Sequence, residues 1–230
     1  MLGGNTSRYV KINQAYYRIK NTQTKVDYLG VVFLRILWYN NLEQIKETQM
    51  NRSIKFKLKN GKIVTIRRIR GTDYEDVMKY MGKFAKGPGA KWTWQYAGQP
   101  KKDKEQSIKL YDSPNNLFVG AWDGNNMIGM ASINKKQVGH PYSGRVASTA
   151  TTMLEPYTSN GLGTKFKQIV EKWARENNVH VLQSGVRHKN IRSLGNLLKQ
   201  GWEIVGVFHD TAFIDGEWIH EYMLEKILEK

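Results

Sequence analysis

The stretch Thr158-Ser159-Asn160-Gly161-Leu162-Gly163-Thr164 concentrates the residue types best suited to binding chemistry. Two glycines one residue apart, in a turn that feeds a helix, let the backbone approach a ligand closely. A helix start leaves several N–H groups without intrahelical partners, and the helix dipole adds partial positive charge at the same spot. That combination suits a phosphate or pyrophosphate. A lone Gly-x-Gly is more often an ordinary strand-turn-helix connection, so the flanking elements decide its meaning.

Upstream, the run from Arg145 to Leu154 is rich in β-branched residues and reads as a strand. Downstream, Leu162, Phe166, Ile169, Val170 and Trp173 recur at helical spacing among lysines and glutamates, which predicts an amphipathic helix to about Asn178. Val179 to Val186 then reads as a strand. Asn190 stands as the N-cap of a helix to about Gln200, with Gly201 at its C-terminal cap. Two last strands, Glu203 to Phe213 and Trp218 to Leu224, join around Asp215-Gly216.

Before the glycine turn, Lys55 to Leu58 and Ile63 to Ile69 are expected to form a hairpin around Asn60-Gly61. Thr72, with Glu75 three residues on, reads as the capping box of a helix to about Phe84. Gly87 to Gly89 ends it, and Lys91 to Tyr96 follows as an aromatic, exposed segment. A second helix is expected over Lys102 to Tyr111, and Leu117 to Trp122 and Met127 to Lys135 form a hairpin across Asp123 to Asn126. A polar loop with His140, Pro141, Tyr142 and Gly144 leads back to the strand before the turn.

Residues 1 to 52 differ from the rest. They are polar and basic to Lys25, then hold the most apolar run of the chain, Leu29 to Tyr39, which is too short to span a bilayer and carries Arg35 in its middle. The N-terminus has no secretory-signal pattern. Leu29, Val32, Phe33, Ile36 and Leu37 would line one face of a helix reaching Gln49, to be buried on the main domain or on a second subunit in a homodimer. The division is therefore a basic extension, residues 1–52, and one domain, residues 53–230.

Over all 230 residues the formal net charge is +16. An excess of this size favours polyanionic partners such as nucleic acid, ribosomes, an anionic membrane or a phosphate-rich cofactor; a merely solvated basic surface is the plain alternative. There is no cysteine, which excludes disulfides, thiolate metal sites and a cysteine nucleophile, and fits a cytoplasmic protein. The histidines show no metal-ligand spacing, so no metal is expected.

From about residue 53 to 230, the order of elements resembles the GNAT superfamily of acyl-CoA-dependent N-acetyltransferases. The residues that carry the likeness are Thr158 to Gly163 at the pyrophosphate signature, Asn190 followed by Gly201-Trp202, and the closing hairpin DGEWIHEYML. The resemblance implies an α/β fold with a mixed, mostly antiparallel sheet flanked by helices. It also implies transfer of an acetyl group from acetyl-CoA to a primary amine of a small molecule, peptide or protein. The backbone N–H groups of Asn160, Gly161, Gly163 and Thr164 would hold the pyrophosphate, with Thr158, Ser159 and Leu162 in the same turn. Met153 and Leu154 would pair with the pantetheine arm, one backbone N–H serving the oxyanion, and Asn190, beside Ser193, would bond its far side. As an N-cap, Asn190 is explained without a ligand too.

Two departures from the pattern matter. The family's early-strand carboxylate is absent from Ala147-Ser148-Thr149, and its usual proton-donating tyrosine falls at Leu197. The catalytic acid and base are thus unassigned, with His140, Tyr142, His188, His209, Glu221 and Tyr222 as candidates from elsewhere. Gln or Arg is replaced by Thr158, which keeps a polar donor. Trp92, Trp94 and Tyr96 fall where relatives build the acceptor pocket. Two other readings stay open: a non-catalytic acyl-CoA-binding module, and a basic nucleic-acid- or ribosome-associated protein.

Overall fold

The chain divides into two units at Arg52/Ser53. The computed structural model describes residues 53–93, 103–141 and 143–228, all within the second unit. The apolar run Leu29–Tyr39, its expected helix, Trp94, Tyr96 and Tyr142 lie outside the described residues.

Strands β1 (Ile54–Lys57), β2 (Ile63–Arg68), β3 (Asn116–Asp123), β4 (Asn126–Lys135), β5 (Val146–Met153), β6 (Val181–Arg187), β7 (Glu203–Ile214) and β8 (Glu217–Ile227) form one sheet. Its order is β1-β2-β3-β4-β5-β6-β8-β7. Every pair is antiparallel except β5–β6. The helices are α1 (Tyr74–Ala85), α2 (Lys104–Asp112), α3 (Leu162–Glu176) and α4 (Ile191–Leu198). Such a mixed sheet with helices is the expected class of fold.

The helices cover both faces of the sheet. Tyr80 of α1 donates its hydroxyl to Thr152 Oγ1, 2.9 Å away, while the neighbouring Thr151 lines a cleft with Lys167 and Val170 of α3. Successive strand residues point to opposite faces, so α1 and α3 lie on opposite sides of β5. On the α1 side Val77, Tyr80, Phe84, Tyr111, Phe118 and Trp122 pack into one core. On the α3 side Leu162, Phe166, Val170 and Trp173 are buried. Lys226 of β8 ties α3 and α4 to the sheet, donating to Glu171 Oε2 at 2.7 Å and to the Gln200 carbonyl at 2.8 Å.

Two expected boundaries are corrected. Thr72 is not the N-cap of α1, because Gly71–Asp73 forms a 3-10 turn first. The cap falls to Asp73, whose carboxylate accepts from the Arg70 backbone at 2.9 Å and from both Arg67 guanidinium nitrogens at 2.8 Å. The Asp73 side chain makes no bond to the first turn of α1; it is held by the Arg67 fork instead. Helix α2 starts at Lys104 rather than Lys102, since Asp103 accepts from the Gln106 N–H at 3.1 Å.

The arrangement of β5 positions the site. It pairs with β4 along its whole length, from Lys135↔Ala147 to Gly129↔Met153. With β6 it pairs only over Val146–Ser148 against Val181–Gln183. Meanwhile β6 stays paired with β8 through Arg187↔Glu221. Residues 149–153 and 184–187 therefore border a wedge-shaped gap inside the sheet. The Ser184 hydroxyl, donating to the Thr149 carbonyl at 3.4 Å, is the last link across it.

Candidate active site

In β5 the odd-numbered residues turn their backbone groups toward the gap. The Thr149 carbonyl meets Ser184 there, and the Leu154 N–H donates the opposite way, to Ile128 at 2.9 Å. Alternation along the strand then directs the N–H groups of Thr151 and Met153 into the gap. The Met153 N–H is therefore one of the groups facing the gap. That of Leu154 is not: it is already used by β4, a correction to the expected pair. Beside the gap on the α3 side, the Thr149 hydroxyl is buried without a partner, in a cleft shared with Thr151, Lys167, Leu182 and Trp202. Burial pulls the Lys167 amine down to about 8.

Past Met153 the chain makes a 3-10 turn, Glu155–Tyr157, and then the glycine turn. Tyr157 donates to Asp123 Oδ2 at 2.7 Å, and so does Lys62. The Lys62 bond, followed by that of Tyr157, holds the Asp123 carboxyl below its ordinary range. Asn160 fixes the turn from within: its Nδ2 donates to the Thr158 carbonyl at 3.0 Å and its carbonyl accepts from the Lys59 N–H at 3.2 Å. Ser159 and Gly161 take left-handed backbones, with φ of 61° and 87°. Such a φ is readily adopted by glycine and strained for larger residues.

The result is a run of backbone donors. From Ser159 to Thr164 no N–H donates to another group among the described residues, whereas the next, Lys165, returns to the Gly161 carbonyl. Leu162, buried, anchors the first turn of α3. A Cβ on Gly163 would stand 3.2 Å from Met153 Cε and 3.3 Å from Asn196 Nδ2, so the turn is closed tightly against both β5 and α4. The Thr158 hydroxyl donates to the Glu155 carbonyl at 2.8 Å. Its one proton is committed there, and the donor expected from this side chain is not directed outward.

Asn190 lies directly beyond β6. Its Oδ1 accepts from the Ser193 N–H at 3.3 Å, as an N-cap should. The backbone donor of Ser193 is thereby used, and the Asn190 Nδ2 remains available as a donor. Asn196 was not foreseen. Its Oδ1 accepts from Thr164 Oγ1 and from Gln200 Nε2, both at 3.0 Å, so it clamps the start of α3 to α4. A polar residue on an amphipathic helix carries no sequence mark of this role.

The candidates for proton transfer separate clearly. His140 accepts from Ser143 in the loop before β5, at the opposite end of that strand from the gap. His188, His209 and His220 form a ring cluster with centroids 5.2 and 5.1 Å apart, and His220 Nδ1 lies 3.3 Å from Asp210 Oδ1. Leu197 is fully buried. Glu221 is buried on β8 beside the gap, against Gly185 of β6. An isolated glycine within a strand signals a close approach of this kind.

The model of the acetyltransferase (GNAT) domain family matches residues 66–223. The chain belongs to the GNAT family. The fold agrees with its solved members. An acetyltransferase of the GNAT family from Streptococcus pneumoniae superposes with a TM-score of 0.65 at 19% identity, covering 72% of this chain and 99% of that one. A ribosomal-protein-alanine N-acetyltransferase from Brucella melitensis gives 0.59 at 20% identity, over 71% and 99%. A Salmonella typhimurium acetyltransferase solved with its cofactor acetyl-CoA gives 0.61 at 15% identity, over 73% and 95%. No curated protein matches the chain in sequence.

For a GNAT domain the gap and the donor run are the expected setting for acyl-CoA. The residues present fit that molecule: unsatisfied N–H groups for its phosphates, and a partnerless buried hydroxyl with strand-edge N–H groups for its amide-bearing arm. Among the described residues no His, Asp or Glu cluster is arranged to hold a metal, and no helix is long and apolar enough to cross a membrane.

Proposed function

We propose that this protein transfers the acetyl group of acetyl-CoA to a primary amine by direct attack. The observation that carries the reading is the gap between β5 and β6, opening beside six consecutive backbone N–H groups with no acceptor among the described residues. The pyrophosphate would lie on the N–H groups of Ser159 to Thr164, held by the dipole of α3. The pantetheine arm would run into the gap as an added partner for β5, with Asn190 Nδ2 on its far side. The Met153 N–H would then be placed to stabilise negative charge developing on the thioester oxygen. Holding the amine and thioester together supplies much of the acceleration.

Leu197 offers no proton to the leaving sulfur, so water supplies it. The acceptor would enter from the α1 face, bordered by Tyr80, Thr152 and the Lys91–Trp92 turn. That turn is held by a hydrogen bond from Arg187 to the Lys91 carbonyl and by the Lys91–Asp215 ion pair. Titration calorimetry with acetyl-CoA, followed by mass spectrometry of a cell extract incubated with protein and acetyl-CoA, tests the reading. Saturable binding and acetylated amines are expected. Absence of any coenzyme A binding would overturn it, and binding with no acetylated product would leave a non-catalytic acyl-CoA module.

A further inference from the structure

Glu221 is only 6% exposed; its carboxylate makes no hydrogen bond or ion pair with any described residue, and its oxygens are not among the fully enclosed atoms that lack a partner, so they reach open space. A carboxylate in a nearly closed setting, with no protein partner and a path to open space, is available to a cationic ligand. The strand register shows where it lies. Glu221 is opposite Arg187, Gln183 is opposite Ser148, and Ser148 shares a face with Thr152, the partner of Tyr80. Glu221 thus faces the α1 side, from which an acceptor would reach the gap.

Its carboxylate lies directly over Gly185, where a Cβ would collide with Oε1. Gly185 is two residues past the last β5–β6 pair, so it borders the gap. The glycine makes the space that the carboxylate occupies. The charged neighbours can be named. Arg187 is its register partner on β6 and donates to the Lys91 carbonyl. On β8 the next acid on that face is Glu225, engaged with Gln183. From β7 the opposing residue is Phe208.

We propose that Glu221 receives the ammonium group of the acceptor and takes its proton; this rests on the transferase reading above. The carboxylate accepts one proton from R–NH3+. The freed nitrogen lone pair attacks the thioester carbon, and the C–N bond forms as the C–S bond breaks. The second nitrogen proton ends on the thiolate through water, giving the acetamide and free coenzyme A. The proton on Glu221 returns to solvent.

The test uses the full chain, its Glu221→Gln and Gly185→Ala variants, and two kinds of acceptor. One is a panel of alkylamines: tyramine, spermidine and N-α-acetyl-lysine amide. The other is hydroxylamine, which is already neutral at pH 7. Glu221→Gln should bind acetyl-CoA as the wild type does and transfer to hydroxylamine within about threefold, but lose about a hundredfold toward the alkylamine. Gly185→Ala, which displaces the carboxylate, should reproduce the selective loss and carries the test if Glu221→Gln does not fold. Alkylamine transfer by Glu221→Gln within threefold of wild type overturns the assignment alone. A wild type that transfers to neither acceptor overturns the transferase reading and this assignment with it.

Discussion

The two sides of the gap between β5 and β6 are built differently. The cofactor side is contiguous: Met153 to Thr164 supplies a strand edge, a 3-10 turn and a run of backbone donors in a single stretch. Its chemistry is backbone chemistry, so side chains there mostly fix the turn, as Asn160, Tyr157 and Thr158 do. The acceptor side is assembled from β5, β6, β8, α1 and the turn after α1. Tyr80 with Thr152, and Gly185 and Arg187 with Glu221, are brought onto one face only by the sheet. A site made of backbone tolerates changes of side chain. A site made of side chains does not.

The contrast is broken most severely at Gly163. Gly163→Leu would drive a side chain into Met153 and Asn196, and acetyl-CoA affinity should fall at least a hundredfold, about 2.7 kcal/mol, on calorimetry. Alkylamine selectivity cannot be read without cofactor, so this variant reports on the cofactor side alone.

Next in size is Lys167, behind the cofactor side. Burial lowers its amine from 10.5 to about 8 in the folded chain, with the ammonium 5.9 Å from the Trp202 ring centroid. Between about pH 8 and 10.5 the unfolded chain holds this proton and the folded chain does not, so stability should rise with pH across that window. Below pH 8 both states are charged and the folded state bears the burial cost. Lys167→Met should remove that slope in denaturant titrations and raise stability at pH 7.

Thr152→Val tests the acceptor side. It leaves the buried Tyr80 hydroxyl without its acceptor, a cost of about 1–3 kcal/mol seen as a lower Tm. Acetyl-CoA affinity should be unchanged within about twofold, since no cofactor-side donor is touched. A parallel loss of affinity would show that the two sides are not separable. The smallest effect is expected at Asn190→Ala, where loss of the cap on α4 costs about 1 kcal/mol. A fall in acetyl-CoA affinity beyond that seen at Ser193→Ala would show that Asn190 Nδ2 meets the cofactor as well.

Much of the fold was legible in the chain because its signals are local. Alternating apolar residues, Asp123-Gly124 and Asp215-Gly216 turns, and the Asn190 and Gly201 caps each depend on a few neighbours, and the structure keeps them: Gly201 has φ of 77° and the Trp202 N–H returns to the Leu197 carbonyl. Thr72 lies inside a 3-10 turn, Gly71–Asp73, whose Asp73 is fixed by Arg67 on another element. The same reason hid Asn196 and left Glu221 as one name among six.

The sequence by itself determined a local succession: a β-branched strand, a turn with Gly161 and Gly163, and an amphipathic helix. Only the tertiary structure decided that β5 and β6 part after Ser148, that Leu154 spends its N–H on β4, and that Glu221 lies over Gly185 facing α1. Register between strands far apart in the chain sets those three facts, and register is a property of packing the whole sheet.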